Sequence, residues 1–112
     1  MDDSLYLLQE QDAARRRRRL QLYIETRGRL RAALAQLLAG QKVILFGSLT
    51  HPGVFNDDSD IDIAIEQEFP QMSEFRLASE LTERMSRPVD VILLKHSRLR
   101  EKILREGETW IV

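Results

Sequence analysis

Three aspartates in two apolar segments are the residues whose types and spacing could do chemistry. Asp60 and Asp62 lie in the alternating segment DIDIAI at 60–65, and Asp90 interrupts the apolar run VDVILL at 89–94. On a strand, Asp60 and Asp62 point to the same side, with Cα atoms about 6.6 Å apart. Paired like charges are unfavourable unless a cation or hydrogen-bond donors offset them. Since Mg²⁺ takes carboxylate oxygens as ligands, the spacing predicts a divalent-metal site.

A glycine and a serine at the end of another apolar run strengthen the metal interpretation. Gly47 and Ser48 follow VILF at 43–46, and a glycine lets the backbone approach a phosphate closely. Three carboxylates on two neighbouring strands could support two ions about 3.5–4 Å apart, as in-line phosphoryl displacement requires. The competing interpretation is a solvated edge strand whose aspartates bind no metal and only face water.

Hydrophobic periodicity and turn residues predict the elements that must position these side chains. The N-terminal half is expected to contain a helix over 10–39 that kinks or divides at Gly28 and stops at Gly40, a strand over 42–46, and a loop over 47–59 with at most one helical turn. The C-terminal half is expected to contain a strand over 60–65, a helix over 73–86 capped by Ser73, a strand over 89–94, a helix capped by Ser97 and stopped by Gly107, and a terminal strand or tail over 110–112.

Each of the two longer helices carries an apolar stripe that is expected to face the core. In the first helix the stripe comprises Leu20, Tyr23, Ile24, Leu30, Leu34, Leu37 and Leu38. In the second helix it comprises Phe75, Leu77, Ala78, Leu81 and Met85. Two adjacent strands followed by a helical crossover indicate a small mixed β-sheet covered by helices. The fold class is therefore α/β (α+β), with an N-terminal helical segment over 1–41 and a core over 42–112 in one compact domain.

Composition limits the classes of protein to which the chain could belong. Its 112 residues include no cysteine and carry a formal net charge of −1, so disulfides and thiolate metal sites are excluded and no general basicity points to nucleic acid. No apolar run reaches the ~20 residues that a membrane span needs, and the acidic start lacks the basic region of a secretory signal. We therefore expect a cytoplasmic protein.

The segment VILFGSLTHPGVFNDDSDIDIAIE at 43–66, followed by PVDVILL at 88–94, resembles the minimal nucleotidyltransferases of the polymerase-beta superfamily. Their signature is Gly-Ser at a strand end, a loop of roughly ten residues, Asp-x-Asp, and a third Asp on a later strand. It maps onto Gly47, Ser48, Asp60, Asp62 and Asp90, and the resemblance covers about residues 42–112.

The resemblance implies a metal-dependent nucleotidyltransferase that moves a nucleoside monophosphate, AMP from ATP, to an acceptor hydroxyl. By resemblance, Asp60 and Asp62 bind both Mg²⁺ (or Mn²⁺) ions, and Asp90 completes the site on the nucleophile side and helps to deprotonate the acceptor. Gly47 and Ser48 would contact the triphosphate. Positioning and metal electrostatics would supply most of the rate.

One departure from the family pattern concerns the phosphate loop. Family members often continue G-S-x-A-R-G, whereas this chain has LTHPG at 49–53 and no Arg or Lys between Gly47 and Arg76. Either His51 contacts the nucleotide, or a positive charge is borrowed from elsewhere, or activity is weakened. A solvated loop histidine is the competing interpretation for His51.

A run of five arginines, Arg15–Arg19, surrounds the first helix because successive residues step by about 100°. This segment is solvated, or contacts an acidic partner, or contacts nucleic-acid phosphates. The helix is longer than a small sheet needs, which favours packing against a homodimer partner or another protein. By resemblance, the partner would be a helical HEPN-type toxin, which the chain modifies or, as the alternative function, neutralises by binding as a non-catalytic antitoxin-like subunit.

Overall fold

The computed structural model describes residues 3–112, which form helices and strands in the predicted order. The elements are α1 (Asp3–Leu37), β1 (Lys42–Phe46), β2 (Ile61–Ile65), α2 (Glu74–Met85), β3 (Val89–Leu93), α3 (Arg100–Glu106) and β4 (Glu108–Ile111). Short 3-10 helices occupy Gly47–Thr50 and Leu94–His96. The one helical turn that the loop prediction allowed is present directly after β1. No helix among residues 3–112 is long and apolar enough to cross a membrane.

The four strands form one mixed sheet in the order β3-β2-β1-β4. β2 and β3 are parallel, because α2 carries the chain back between them, whereas β1 pairs antiparallel with both β2 and β4. The C-terminal segment that could have been a tail is a strand, paired with β1 from Lys42 opposite Ile111. The predicted fold class, a small mixed sheet with helices and a long N-terminal helix, is confirmed.

The main core lies between the sheet and the helices α1 and α2. Ile61, Ile63 and Ile65 all point into it, and none is more than 1% exposed, as the alternation of β2 predicts. The opposite face of the sheet packs against α3 through a smaller cluster that includes Ile44, Ala64, Leu94 and Ile103. The face of β2 that carries Asp62 is therefore the α3 side of the sheet.

Helix α1 differs from the prediction in its start, in its continuity and in its buried face. Within the described residues it extends from Asp3 and runs as one helix through Gly28, so a division of the helix at Gly28 is wrong. Leu30 and Leu34 are fully buried as predicted, but Leu20 and Ile24 are 47% and 60% exposed. Hydrophobic periodicity identifies the apolar face of a helix, but it does not show where the surface that covers this face ends. Helix α1 extends beyond the sheet, so the apolar residues of its first part remain exposed.

Helix α2 begins and ends as the sequence indicates. Ser73 caps it, with its hydroxyl accepting a hydrogen bond from the Arg76 backbone N at 3.1 Å, and Ser86 ends it in the left-handed conformation. Leu77 and Leu81 are fully buried, but Phe75 is 78% exposed, so its place in the apolar stripe is wrong. At about 100° per residue, Phe75 lies about 160° around the helix from Leu77 and about 120° from Leu81, away from the buried face.

Helix α3 begins later than predicted. Its N-terminal flanking residue is Leu99, and the predicted capping residue, Ser97, instead accepts a hydrogen bond from the Leu99 backbone N at 3.0 Å in the preceding turn. Gly107 ends the helix as predicted, its backbone N bonding to the carbonyl oxygen of Ile103 at 2.7 Å.

Candidate active site

Asp62 and Asp90 are directly opposite each other on neighbouring strands. β2 and β3 are parallel, and their register pairs Asp62 with Asp90. In-register residues on parallel strands point to the same side of a sheet whose strands lie about 4.8 Å apart. Asp60 immediately precedes β2 and is exposed, as is Asp90, whereas Asp62 is half-buried. The structure thus brings these three carboxylates to one edge of the sheet.

Gly47 lies directly against the Asp62 carboxylate. It follows β1, whose last residue, Phe46, is the register partner of Asp62. Its φ of +75° lies in the left-handed region, and a Cβ placed on it would come within 2.5 Å of Asp62 Oδ2. Both observations explain why glycine stands here: the turn requires its conformation, and the close approach leaves no room for a side chain.

The Asp62 carboxyl group has a raised pKa. Burial is the largest cause, followed by the negative charges of Asp90 and then Asp60, and together they raise the pKa from 3.8 to about 6. Both effects disfavour the ionised form. The negative charges of Asp90 and Asp60 thus both act on the Asp62 carboxyl group.

The chemistry of the donor set fits a hard divalent cation. All three groups offer carboxylate oxygens, and a cation beside Asp62 would relieve the repulsion that raises its pKa. Within residues 3–112, no group of three or more His, Cys, Asp or Glu side chains is arranged to hold an ion by protein ligands alone. Mg²⁺ commonly uses one or two carboxylates and completes its shell with water and substrate phosphates. The cross-strand pair of Asp62 and Asp90, with Asp60 beside it, suits that mode.

The turn before Asp60 is fixed by hydrogen bonds that the sequence did not reveal. Arg87, at the turn between α2 and β3, donates to the carbonyl oxygens of Asn56 and Ser59 at 2.9 and 2.5 Å. Its guanidinium also stacks over the buried ring of Phe55, 4.6 Å from the centroid. Arg87 therefore positions the turn that leads into Asp60. Only its place beside Pro88, at the end of a helix, could have suggested a structural role.

A cleft of about 350 Å³ opens beside the Gly47 turn. Ser48 and His51 line it, so both sequence-predicted contacts lie at one site, and Lys102 of α3 lines it as well. Apolar side chains form much of the remaining wall, among them Phe46 and Ile103. The sequence prediction allowed for a charge from elsewhere but did not name Lys102, because residues about fifty positions apart are brought together only by the packing of α3 on β1.

This arrangement defines a class of protein: a small α+β domain of the nucleotidyltransferase fold, with acidic residues and a glycine turn at one edge of a mixed sheet. The family model described as polymerase beta, nucleotidyltransferase matches residues 29–111. The chain therefore belongs to the polymerase beta nucleotidyltransferase family. Compared with curated proteins and with solved structures, the chain has no significant match. The family match begins within α1, so residues 3–28 of that helix lie outside it.

Proposed function

We propose that this chain is a metal-dependent nucleotidyltransferase that moves a nucleoside monophosphate, AMP from ATP, to an acceptor hydroxyl on a partner protein. One observation carries the proposal: Asp62 faces Asp90 across neighbouring strands while its carboxylate lies against the Gly47 turn. Carboxylates for a cation and a backbone turn for phosphates thus meet at one place. Membership of the family supports the same reaction class.

The proposed reaction is a single displacement at phosphorus. The acceptor oxygen attacks the α-phosphorus, the bond from that phosphorus to the oxygen bridging the β-phosphate breaks, and pyrophosphate leaves. The acceptor proton passes to the carboxylate of Asp90, which is exposed and so accessible to the acceptor. Asp60 and Asp62 would hold divalent cations, which, when bound, neutralise the phosphate charge. Positioning by these groups is the main contribution of the protein.

Lys102 is proposed to supply the positive charge that the phosphate loop lacks. It lies in the same cleft as Ser48 and His51, and an ammonium group is an effective point-charge ligand for phosphate. The Ser48 hydroxyl and the His51 side chain, which line the same cleft, would contact the same nucleotide.

Transfer of label from α-³²P-labelled ATP in the presence of Mg²⁺ and candidate partner proteins tests the proposal. Asp62→Asn should lower transfer about 100-fold or more, since groups that only support metal ligands are already worth about 10- to 100-fold. The matched control is Asp58→Asn, which removes an exposed acid from the same acidic stretch and should transfer at the wild-type rate. Equal rates for wild type and Asp62→Asn would contradict the enzyme proposal.

The role of Lys102 is tested separately. Lys102→Ala should raise the KM for ATP about tenfold, the loss expected for one charge-assisted hydrogen bond, with a smaller effect on kcat. Lys95→Ala, which removes another exposed lysine, is the control and should leave KM unchanged. An unchanged KM in Lys102→Ala would remove Lys102 from the site without affecting the proposal for the aspartates.

A second candidate function is neutralisation of a helical, HEPN-type partner by binding alone. It is favoured by a loop without Arg or Lys between Gly47 and Arg76 and by the exposed N-terminal part of α1. In that case a partner should co-purify equally well with wild type and with Asp60→Asn, and no label should be transferred to it. Transfer that depends on Asp60 would favour the enzyme instead.

A further inference from the structure

The first half of α1 forms a projecting arm, defined here as residues 3–20. Every residue of the arm except Ala13 is exposed, and the molecule is accordingly elongated, with extents of 65 × 28 × 20 Å. A compact domain of this length has a radius of gyration of about 13 Å, compared with 16.8 Å here. The arm is therefore a surface that the rest of the chain leaves largely uncovered.

The arm is unusually apolar for an exposed helix. Its first two turns contain four consecutive large hydrophobic residues that are 56–61% exposed, namely Leu5, Tyr6, Leu7 and Leu8. Leu20 is 47% exposed, and Ile24, one turn further along, is 60% exposed. Contiguous exposed apolar surface on a soluble domain commonly marks an interaction site.

Two faces of the arm have different surroundings. Arg15, Arg18 and Arg19 line a groove with the loop of the same chain, where Arg18 contacts Asp57 at 3.1 Å. At 100° per residue, Tyr6, Ala13 and Leu20 lie together on the other side of the helix. That second face, called here the outer face, is turned away from the domain.

The arm carries acidic residues in its first part and basic residues in its second part, so one arm can be complementary in charge to another copy of the arm. Between residues 3 and 14 the charged residues are all acidic, Asp3, Glu10 and Asp12, whereas Arg15–Arg19 are all basic. Two parallel arms would place arginine run against arginine run. Two antiparallel arms would place the acidic half of each against the arginine run of the other, and two-fold symmetry would make this contact occur twice.

We propose that the arm binds the arm of a second copy of this chain, antiparallel, with the two-fold axis near Ala13. In this arrangement Glu10 of each copy approaches Arg16 and Arg17 of the other, and Tyr6 approaches Leu20. The small side chain of Ala13 lets the helix axes come close at the centre. The two domains then lie at opposite ends of the paired arms, because in each copy Leu30 and the residues after it stay packed in the core of that copy.

The contact is small, and its size determines the expected affinity. Eighteen residues of helix extend about 27 Å, so the buried area falls at the low end for specific dimers. We expect a dissociation constant in the micromolar range that rises with salt, because the ion pairs across the contact are exposed.

Light scattering after size exclusion, from low to high micromolar concentration, tests for the dimer. Wild type should shift from monomer to dimer, and Glu10→Arg should raise the dissociation constant about tenfold because it places a positive charge opposite Arg17. The double variant Glu10→Arg with Arg17→Glu restores complementary charges and should dimerise again. Glu83→Arg, the same change on the exposed surface of α2, is the matched control and should behave as wild type.

Cross-linking determines the direction of the arms and is simplified by the absence of cysteine from the chain. Tyr6→Cys and Leu20→Cys are prepared separately and treated with a short bis-maleimide, alone and mixed. The two positions are about 21 Å apart along one helix, so antiparallel pairing gives cross-links only in the mixture. Parallel pairing gives cross-links in each separate sample, an outcome that contradicts the proposal.

Two further results would overturn the proposal. One is a monomer at every concentration with no cross-link in any sample. The other is a dimer that survives Glu10→Arg and Arg17→Glu as single changes, which would locate the contact elsewhere. Because none of these variants touches Asp60, Asp62 or Asp90, failure of the dimer leaves the proposed nucleotidyl transfer untested and intact.

Discussion

Asp62 is placed where its negative charge is poorly accommodated by the protein alone. It is half-buried, lies against the Gly47 turn, and has a pKa raised to about 6 by burial and by Asp90 and Asp60. Because burial and the neighbouring charges disfavour its ionised form, the charged Asp62 carboxylate lowers the stability of the metal-free fold. Such a cost is common where a site must bind a charged ligand.

We therefore predict that Asp62→Asn stabilises the metal-free protein at neutral pH. A folded-state pKa raised from 3.8 to about 6 means that ionising Asp62 costs folding free energy. The cost is absent below about pH 4, grows between pH 4 and 6, and stays constant above. After allowance for solvent screening of a half-exposed group, we expect a gain on the order of 1 kcal/mol at pH 7.

Urea unfolding of wild type and Asp62→Asn, at pH 4 and at pH 7 with a chelator present, measures this difference. Comparing the two proteins at each pH cancels the titration of other carboxyl groups. The control, Asp58→Asn, should not show a pH-dependent gain. A gain of equal size at both pH values would show that ionisation of Asp62 is not its cause.

Gly47→Ala should disable the site more than it destabilises the fold. The left-handed φ of +75° makes alanine cost about 1–2 kcal/mol. The new Cβ would press on Asp62 Oδ2, which is the end of a side chain and can rotate away from Asp90. Transfer activity and thermal unfolding are the two measurements. Gly53→Ala, where nothing lies within 4 Å of the added Cβ, is the matched control and should leave both unchanged.

At the residue scale, the sequence indicated which carboxylates meet but not what surrounds them. Alternation placed Asp60 and Asp62 on one side of a strand, and register then brought Asp90 opposite Asp62. The neighbours of Lys102 and Arg87 could not be inferred, because each side chain reaches them through packing between elements distant in sequence. Local sequence patterns indicate which side chains share a face and where turns occur. Contacts between residues far apart in sequence depend on how the helices pack on the sheet.

At the scale of elements, Arg27 joins α1 to the sheet. Its side chain is 21% exposed and forms an ion pair with Glu108 of β4, while donating to the carbonyl oxygen of Leu49 at 3.1 Å. The guanidinium also lies over the rings of Tyr23 and Trp110, 4.9 and 5.2 Å from their centroids. One arginine thus connects the long helix, the turn after β1 and the last strand.

Arg27→Lys is expected to destabilise the fold by about 1–2 kcal/mol, because lysine keeps the charge but loses the planar fork and the stacking. The Arg27 hydrogen bond is the main cause that lowers the pKa of Glu108 below its ordinary 4.5. The stability contributed by the Arg27–Glu108 pair is present above pH 4.5 and is lost as the pH falls below that value.

Chemical unfolding at pH 7 and at pH 3 measures the effect. The deficit of Arg27→Lys should narrow at the lower pH, and a deficit that widened would contradict the assignment to Glu108. Arg29→Lys, at an exposed arginine whose guanidinium donates to the carbonyl oxygen of Arg84, is the control and should change little.

The elements were predictable where one pattern decided them. β1 was bounded correctly by its apolar run, and Ser73 marked the start of α2. The prediction for α1 was less accurate because its residues from 3 to 20 lack a covering surface, so their apolar positions do not report burial. Ser97 was misassigned as a helix cap because serine satisfies turns and helix starts by the same hydrogen bond.

At the scale of the whole molecule, the domain and the arm are expected to be energetically independent. The buried members of the main core begin at Leu30, with Leu22 and Tyr23 packed against them, and the arm contributes no buried side chain. A variant lacking residues 1–14 should therefore unfold at the same temperature as wild type in dilute solution, within the scatter of surface substitutions. Thermal circular dichroism measures this, and full-length chain with Leu8→Ser is the control for apolar exposure alone.

A large loss of stability in the shortened variant would contradict this independence. In concentrated solution the full-length chain should unfold at a higher temperature than the shortened variant. The reason is that a dimer formed through the arms stabilises only the full-length chain, by mass action.

The only tryptophan of the chain offers a way to observe the domain without the arm. Trp110 is 3% exposed, lies under the guanidinium of Arg31 at 4.2 Å, and donates from Nε1 to Glu108 at 2.6 Å. It therefore lies at the joint between the long helix and the last strand. Its fluorescence emission should change when α1 detaches from the sheet. The emission should not change with events along the distant N-terminal turns of α1, so it reports unfolding of the domain separately from association of the arms.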